Sequence, residues 1–157
     1  MKVKLLSIGK TESSYLLKGM KDYETRIKRY VSLEMIEVPG LKNASHLGKQ
    51  EWKAKEATKL TPFLANKDII VLLDEKGKEM TSIEFSSFLN QKFSSGSKNL
   101  VFVVGGPYGF DESITKMADF RLSLSQLTFS HQMVRLFFLE QLYRALTILR
   151  NEAYHHE

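Results

Sequence analysis

"LVFVVGGPYGF", residues 100–110, decides the fold. Its first five residues are apolar β-formers with no polar interruption, the mark of a parallel strand buried on both faces. They stop at Gly105-Gly106-Pro107-Tyr108-Gly109, where the main chain is bare. Ligands of open parallel sheets bind beyond the carboxyl ends of the strands, so this turn is a site candidate. Its spacing fits neither G-x-G-x-x-G nor a P-loop. Pro107 also lacks the backbone N–H that a phosphate cradle would use. The turn reads either as simple punctuation or as a main-chain pocket for a flat, uncharged group such as adenine.

Working outward, strands and helices alternate. Residues 2–9 and 33–38 read as strands, the second closed by Pro39-Gly40. Between them Leu16, Met20, Tyr23, Ile27 and Tyr30 recur at steps of four, three, four and three, one face of a helix capped by Ser13 or Ser14. A second helix is expected from about Gln50 to Leu60, and a buried strand over 68–74 that turns at "EKGK". Thr81 and Glu84 form a Thr-x-x-Glu capping box opening a third helix. A short helix is expected near 111–118, a strand from residue 120, and a long last helix in "HQMVRLFFLEQLYRALTILR". This alternation predicts an α/β fold, a mostly parallel sheet flanked by helices, in a single domain over 1–157. The last helix is apolar almost all round, which predicts burial on more than one side and a homodimer formed through it.

Composition removes several chemistries. With no cysteine there is no disulfide, thiolate metal site or cysteine nucleophile, which fits a cytoplasmic protein. The four histidines lack a spacing that places two on one helix face, so no metal is expected. No apolar run is long enough to span a membrane. The net charge of +5 is concentrated: residues 1–60 hold 13 Lys/Arg against 7 Asp/Glu. That excess is either a solvated helix face or a footprint for a polyanion such as RNA, with Arg26, Lys28 and Arg29 as candidates. Arg135 and Arg144 on the last helix could contact RNA phosphate or pair with Glu140.

A second unusual stretch is "LSLSQLTFSHQMVR", 122–135, where hydroxyl residues alternate with leucines ahead of the last helix. No G-x-S-x-G elbow surrounds Ser130, so a nucleophilic serine is disfavoured. The glycine turn, this stretch, "EQLYRA" and the terminal "NEAYHHE", with "LLSIGK", "IEVPG" and "LLDEKGK" upstream, resemble the RlmH family from end to end. These are SPOUT-class methyltransferases that use S-adenosylmethionine to methylate N3 of a pseudouridine in the helix 69 loop of 23S ribosomal RNA.

The resemblance implies a trefoil knot in the C-terminal part, an exception to the usual absence of knots. It implies cofactor contacts from Leu73, Gly105, Leu124, Ser125, Gln126, Leu127, Thr128 and Phe129. It also implies that Tyr154 and His155 act near the cofactor of a facing protomer, with the ribosome as partner. His131 is a further candidate for the base that removes the N3 proton. Where relatives often carry Glu or Asn in the glycine turn, this chain has Tyr108, which argues against an essential carboxylate or amide there. A Rossmann oxidoreductase fails at the first turn, where "SIGKTESSY" supplies one glycine. A non-catalytic, ribosome-associated RNA-binding dimer is the remaining alternative, and cofactor binding separates the two.

Overall fold

Alternation of strand and helix holds throughout the computed structural model, which describes residues 1–156. In chain order the elements are β1 (Lys2–Ile8), α1 (Ser14–Ile27), β2 (Ser32–Val38), α2 (Lys49–Leu60) and β3 (Ile69–Glu79). There follow α3 (Ser82–Phe93), β4 (Asn99–Val104), α4 (Glu112–Met117), β5 (Phe120–Ser123) and α5 (Met133–Leu149). The strands form one parallel sheet in the order β2-β1-β4-β3-β5. Its centre is β4, every residue of which is buried, and this is why residues 100–104 carry no polar side chain.

Successive residues of a strand point to opposite faces, so each strand feeds two cores. Val3, Leu5, Val71, Phe102 and Val104 pack with α1, α3 and α5; Leu6, Ile8, Leu72, Val101 and Val103 pack with α2 and α4. Leu16, Met20 and Ile27 are the buried stripe of α1, at the spacing read from the sequence. The capping box is closed: Glu84 N donates to Thr81 Oγ1 at 3.2 Å, and Thr81 N donates to Glu84 Oε2 at 2.7 Å.

One expectation changes. "EKGK" does not end its strand, for β3 runs on to Glu79 and pairs again with β5 at Lys78–Leu122 after a register shift. Gly77 permits this, because a Cβ there would lie 2.6 Å from the Arg121 carbonyl. The all-round apolarity of α5 is largely met within one chain. The helix is wedged between the sheet, α1 and α3; Phe138 stacks on Phe102 at 4.6 Å, and Leu139, Leu142, Ala145 and Leu146 are buried. What stays open is Phe137, 45% exposed, with its ring on Phe129 at 4.8 Å.

Among the described residues no helix is long and apolar enough to cross a membrane, and no cluster of His, Asp and Glu gathers to hold a metal.

Candidate active site

The carboxyl ends of β3 and β4 open into a cavity of about 690 Å³, a size that suits a small-molecule cofactor. Leu73 and Val104 are the last apolar residues of their strands and form its back wall. Gly105 to Phe110 form one side, and the segment between β5 and α5 forms the other. Of the residues expected to hold the cofactor, Leu73, Gly105, Leu124, Ser125, Leu127, Thr128 and Phe129 line this one cavity. Gln126, between them in sequence, is exposed and is not part of the lining.

The glycines are required by close packing. A Cβ on Gly105 would press on the Phe110 ring at 3.0 Å, and one on Gly106 would fall on the Glu56 carboxylate. Gly109 has φ of 81°, which a side chain disfavours, and its N–H closes the turn on Gly106 O at 3.3 Å. The hydroxyls of the opposite wall organise their own segment. Ser123 Oγ donates to Ser125 O at 3.0 Å, Ser125 Oγ accepts from Leu127 N at 2.9 Å, and Ser130 Oγ accepts from Met133 N at 3.1 Å, at the start of α5. Tying these turns through side chains leaves Leu127 78% exposed at the cavity mouth.

Arg135, a candidate RNA contact, does not face solvent. It is fully buried and spends its guanidinium on the protein: Ile8 O, Gly9 O and Thr11 Oγ1, each at 2.9 Å, and His131 O at 3.0 Å. Glu37, not Glu140, is its ionic partner, at 3.6 Å. The side chain clamps the first turn of α5 to the carboxyl end of β1, next to the cavity. It is Arg144 that pairs with Glu140, at 2.5 Å.

The candidate bases separate. His131 lines the cavity, and partial burial, then the Arg135 guanidinium, hold its imidazole below the usual histidine range. Tyr154 and His155 follow α5 but fold back along it, so their side chains sit beside Glu140 and Arg144, roughly 10–17 Å along the helix from its first residue. There the Tyr154 hydroxyl donates to Glu140 Oε1 at 3.0 Å, meets Tyr23 Oη at 3.3 Å, and packs its ring on Tyr143 at 4.6 Å. Burial, Tyr23 and Glu140 push its pKa well above the usual tyrosine value, so it is a neutral phenol at ordinary pH. His155 Nδ1 sits 3.2 Å from the Arg144 guanidinium. Arg26, stacked beside Tyr143 at 5.6 Å, joins the same cluster. Lys28 pairs with Glu24 at 2.6 Å, and Arg29 is exposed in the turn after α1. Thus the basic end of α1 and the C-terminal Tyr-His pair form one cluster beside the middle and later part of α5, and neither lines the cavity.

Sequence reasoning missed the contribution of α2. Lys49, Trp52, Lys53 and Glu56 follow the i, i+3, i+4, i+7 pattern of one helix face, and that face meets the glycine turn. The pattern was readable, but mixed charge and a single aromatic disguise it as solvated surface. Asp74 and Arg121, paired at 2.5 Å on the rim, were hidden by the assumed turn at "EKGK".

An open parallel sheet with its cavity between a glycine turn and the segment before the last helix is the architecture of a methyltransferase class: a family described as "Predicted SPOUT methyltransferase" matches residues 1–155, and the chain is a SPOUT methyltransferase. Proteins called "Ribosomal RNA large subunit methyltransferase H" from Parabacteroides distasonis and Flavobacterium johnsoniae are 50% and 49% identical over 157 residues, covering 100% of both chains. That of Christiangramia forsetii is 48% identical over 99% of each chain. The chain belongs to the ribosomal RNA large subunit methyltransferase H family. Its fold is also similar to a probable methylase family protein of Haemophilus influenzae, with a TM-score of 0.50 over 95% of this chain and 66% of that one, at 9% identity.

Proposed function

We propose that the protein transfers a methyl group from S-adenosylmethionine to N3 of a pseudouridine in large-subunit ribosomal RNA, in the helix 69 loop of the assembled ribosome. The observation that carries this reading is the convergence of Leu73, Gly105 and the 124–129 segment on one cavity at the carboxyl ends of β3 and β4. The residues fit the cofactor: apolar strand ends and bare glycine backbone suit an adenine, and the open main chain of the 124–129 segment offers polar groups to a ribose. When bound, the cofactor supplies an electrophilic methyl on a sulfonium, so neither metal nor covalent enzyme intermediate is needed.

The chain's own work is alignment and proton removal. Fixing donor and acceptor in one geometry contributes roughly 7–11 kcal/mol in favourable cases. The Arg135 clamp and the serine-tied turns hold the wall from which that alignment is made. His131, neutral at ordinary pH and facing the cavity, accepts the N3 proton. Tyr154 and His155 do not line the cavity of their own chain, and they act on a partner's, in a homodimer that sets them, with Arg26 and Arg29, around the RNA.

The test is methyl transfer from tritiated S-adenosylmethionine to large ribosomal subunits, with the product nucleoside mapped by mass spectrometry. Label at N3 of a pseudouridine is the expected result. Cofactor binding with label on another nucleotide would refute the assigned target, and no cofactor binding would favour the RNA-binding dimer.

A further inference from the structure

The mouth of the cavity carries an arrangement that cofactor binding does not explain. Tyr108 sits at the tip of the glycine turn, 44% exposed. It is not loosely hung. Pro107 fixes the backbone before it, the Gly109–Gly106 hydrogen bond closes the turn behind it, and Trp52 braces its ring edge-to-face at 5.6 Å and 89°. Lys49 Nζ lies 5.7 Å from the ring centroid, and Lys49 and Lys53 both line the cavity rim. The acids of the rim offset little of this, since Asp74 is taken by Arg121, and Lys76 stands beside Glu75. Beneath, the buried Glu56 fills the space under Gly106, and the Nε1 edge of the Trp52 indole is turned inward, out of solvent.

A rigid, solvent-facing aromatic ring flanked by two lysines is what an unpaired nucleotide needs: a π-face for the base and cations for its phosphates. It stands at the entrance of a cavity where a ring nitrogen must be presented edge-on, outside any base stack. Taking a base out of its stack exposes the face of its neighbour, which then seeks another surface.

Resting on the methyltransferase reading above, we propose that Tyr108, braced by Trp52, is the stacking platform for the unpaired RNA base next to the target, with Lys49 and Lys53 holding the adjoining phosphates. Tyr108 is then a substrate-binding residue.

The experiment titrates fluorescein-labelled oligouridylate into full-length wild type, Tyr108→Phe, Tyr108→Ala and Lys49→Ala, read by anisotropy at several salt concentrations. Steady-state methyl transfer on large ribosomal subunits is run in parallel. Tyr108→Phe should bind as wild type does, and Tyr108→Ala should bind about tenfold more weakly or worse. Lys49→Ala should lower the slope of log K against log salt by about one. On subunits, Tyr108→Ala should raise KM about tenfold with kcat and S-adenosylmethionine affinity unchanged. Absent binding by wild type at low salt, or equal binding by Tyr108→Ala, overturns the proposal. So does an unchanged KM, or loss of cofactor affinity in Tyr108→Ala, which would assign the ring to the cofactor. Because anisotropy needs no catalysis, ring-dependent binding in a protein that transfers no methyl group would leave the platform standing and remove the methyltransferase reading instead.

Discussion

Removing Arg135 should unfold the protein long before it weakens RNA binding. The guanidinium is fully buried and satisfies the carbonyls of Ile8, Gly9 and His131 and the hydroxyl of Thr11, with Glu37 nearby. In Arg135→Ala those acceptors lose their donors in a dry site, and the side-chain volume becomes a void. Hydrogen bonds from a charged donor are each worth about 1.5–3 kcal/mol, but these share one group and do not add. Breaking a buried pair by deleting one partner costs about 3–5 kcal/mol, and that range is the expectation here. For a chain of this size, it lowers Tm by roughly 6–20 °C. Arg135→Lys keeps the charge but loses the fork that spans β1 and α5, and should fall between. Urea unfolding of the three proteins measures this, and ribosome binding against salt completes the assay. A loss under about 1 kcal/mol in Arg135→Ala, with the salt slope reduced by about one, would refute the buried-clamp reasoning and restore Arg135 as a phosphate contact.

Burial raises the Glu56 carboxyl above its ordinary value. Above pH about 4.5 the unfolded chain has lost a proton that the fold keeps, so stability falls as pH rises toward the raised value; Glu56→Gln should flatten that limb of a Tm–pH curve, and parallel curves would contradict it. Methyl transfer should decline as pH drops through the lowered His131 pKa, and a pH–rate profile for His131→Gln should lack that acid limb; a limb retained in the variant would exclude His131 as the base. If Tyr154 acts across a dimer, equal mixtures of inactive Tyr154→Ala and Gly105→Val should recover about one quarter of wild-type activity, from the intact site of each mixed dimer, whereas no recovery would count against action in trans. Gly77→Ala places a methyl 2.6 Å from the Arg121 carbonyl and should cost about 1–3 kcal/mol in urea unfolding; a neutral effect would mean that β3 and β5 part easily there.

Much of the fold was legible because the governing patterns are local. The uninterrupted run 100–104 marks the central strand, the spacing of Leu16, Met20 and Ile27 marks α1, and Thr81 with Glu84 marks the start of α3. The β3 extension was not legible, since "EKGK" has turn chemistry and only the approach of Arg121 shows why Gly77 is there. Arg135 misled for a related reason: on a helix wheel it is a surface cation, and the three backbone carbonyls that surround it come from residues 8, 9 and 131. That Tyr154 folds back onto Glu140, 14 residues before it, was not legible, because the turn that returns the chain along α5 leaves no periodic signal. Threading leaves no trace in periodicity, which is why the knot entered only through resemblance.

The central claim is that the glycine-turn cavity holds S-adenosylmethionine. Calorimetric titration of the cofactor into wild type and into Gly105→Val, whose added methyls would crowd the Phe110 ring and the cavity floor, tests it most directly. Saturable binding by wild type, lost in a variant that still unfolds cooperatively in urea, is the predicted result. Equal binding by both proteins would contradict the placement of the cofactor, and no binding by folded wild type would contradict the account itself.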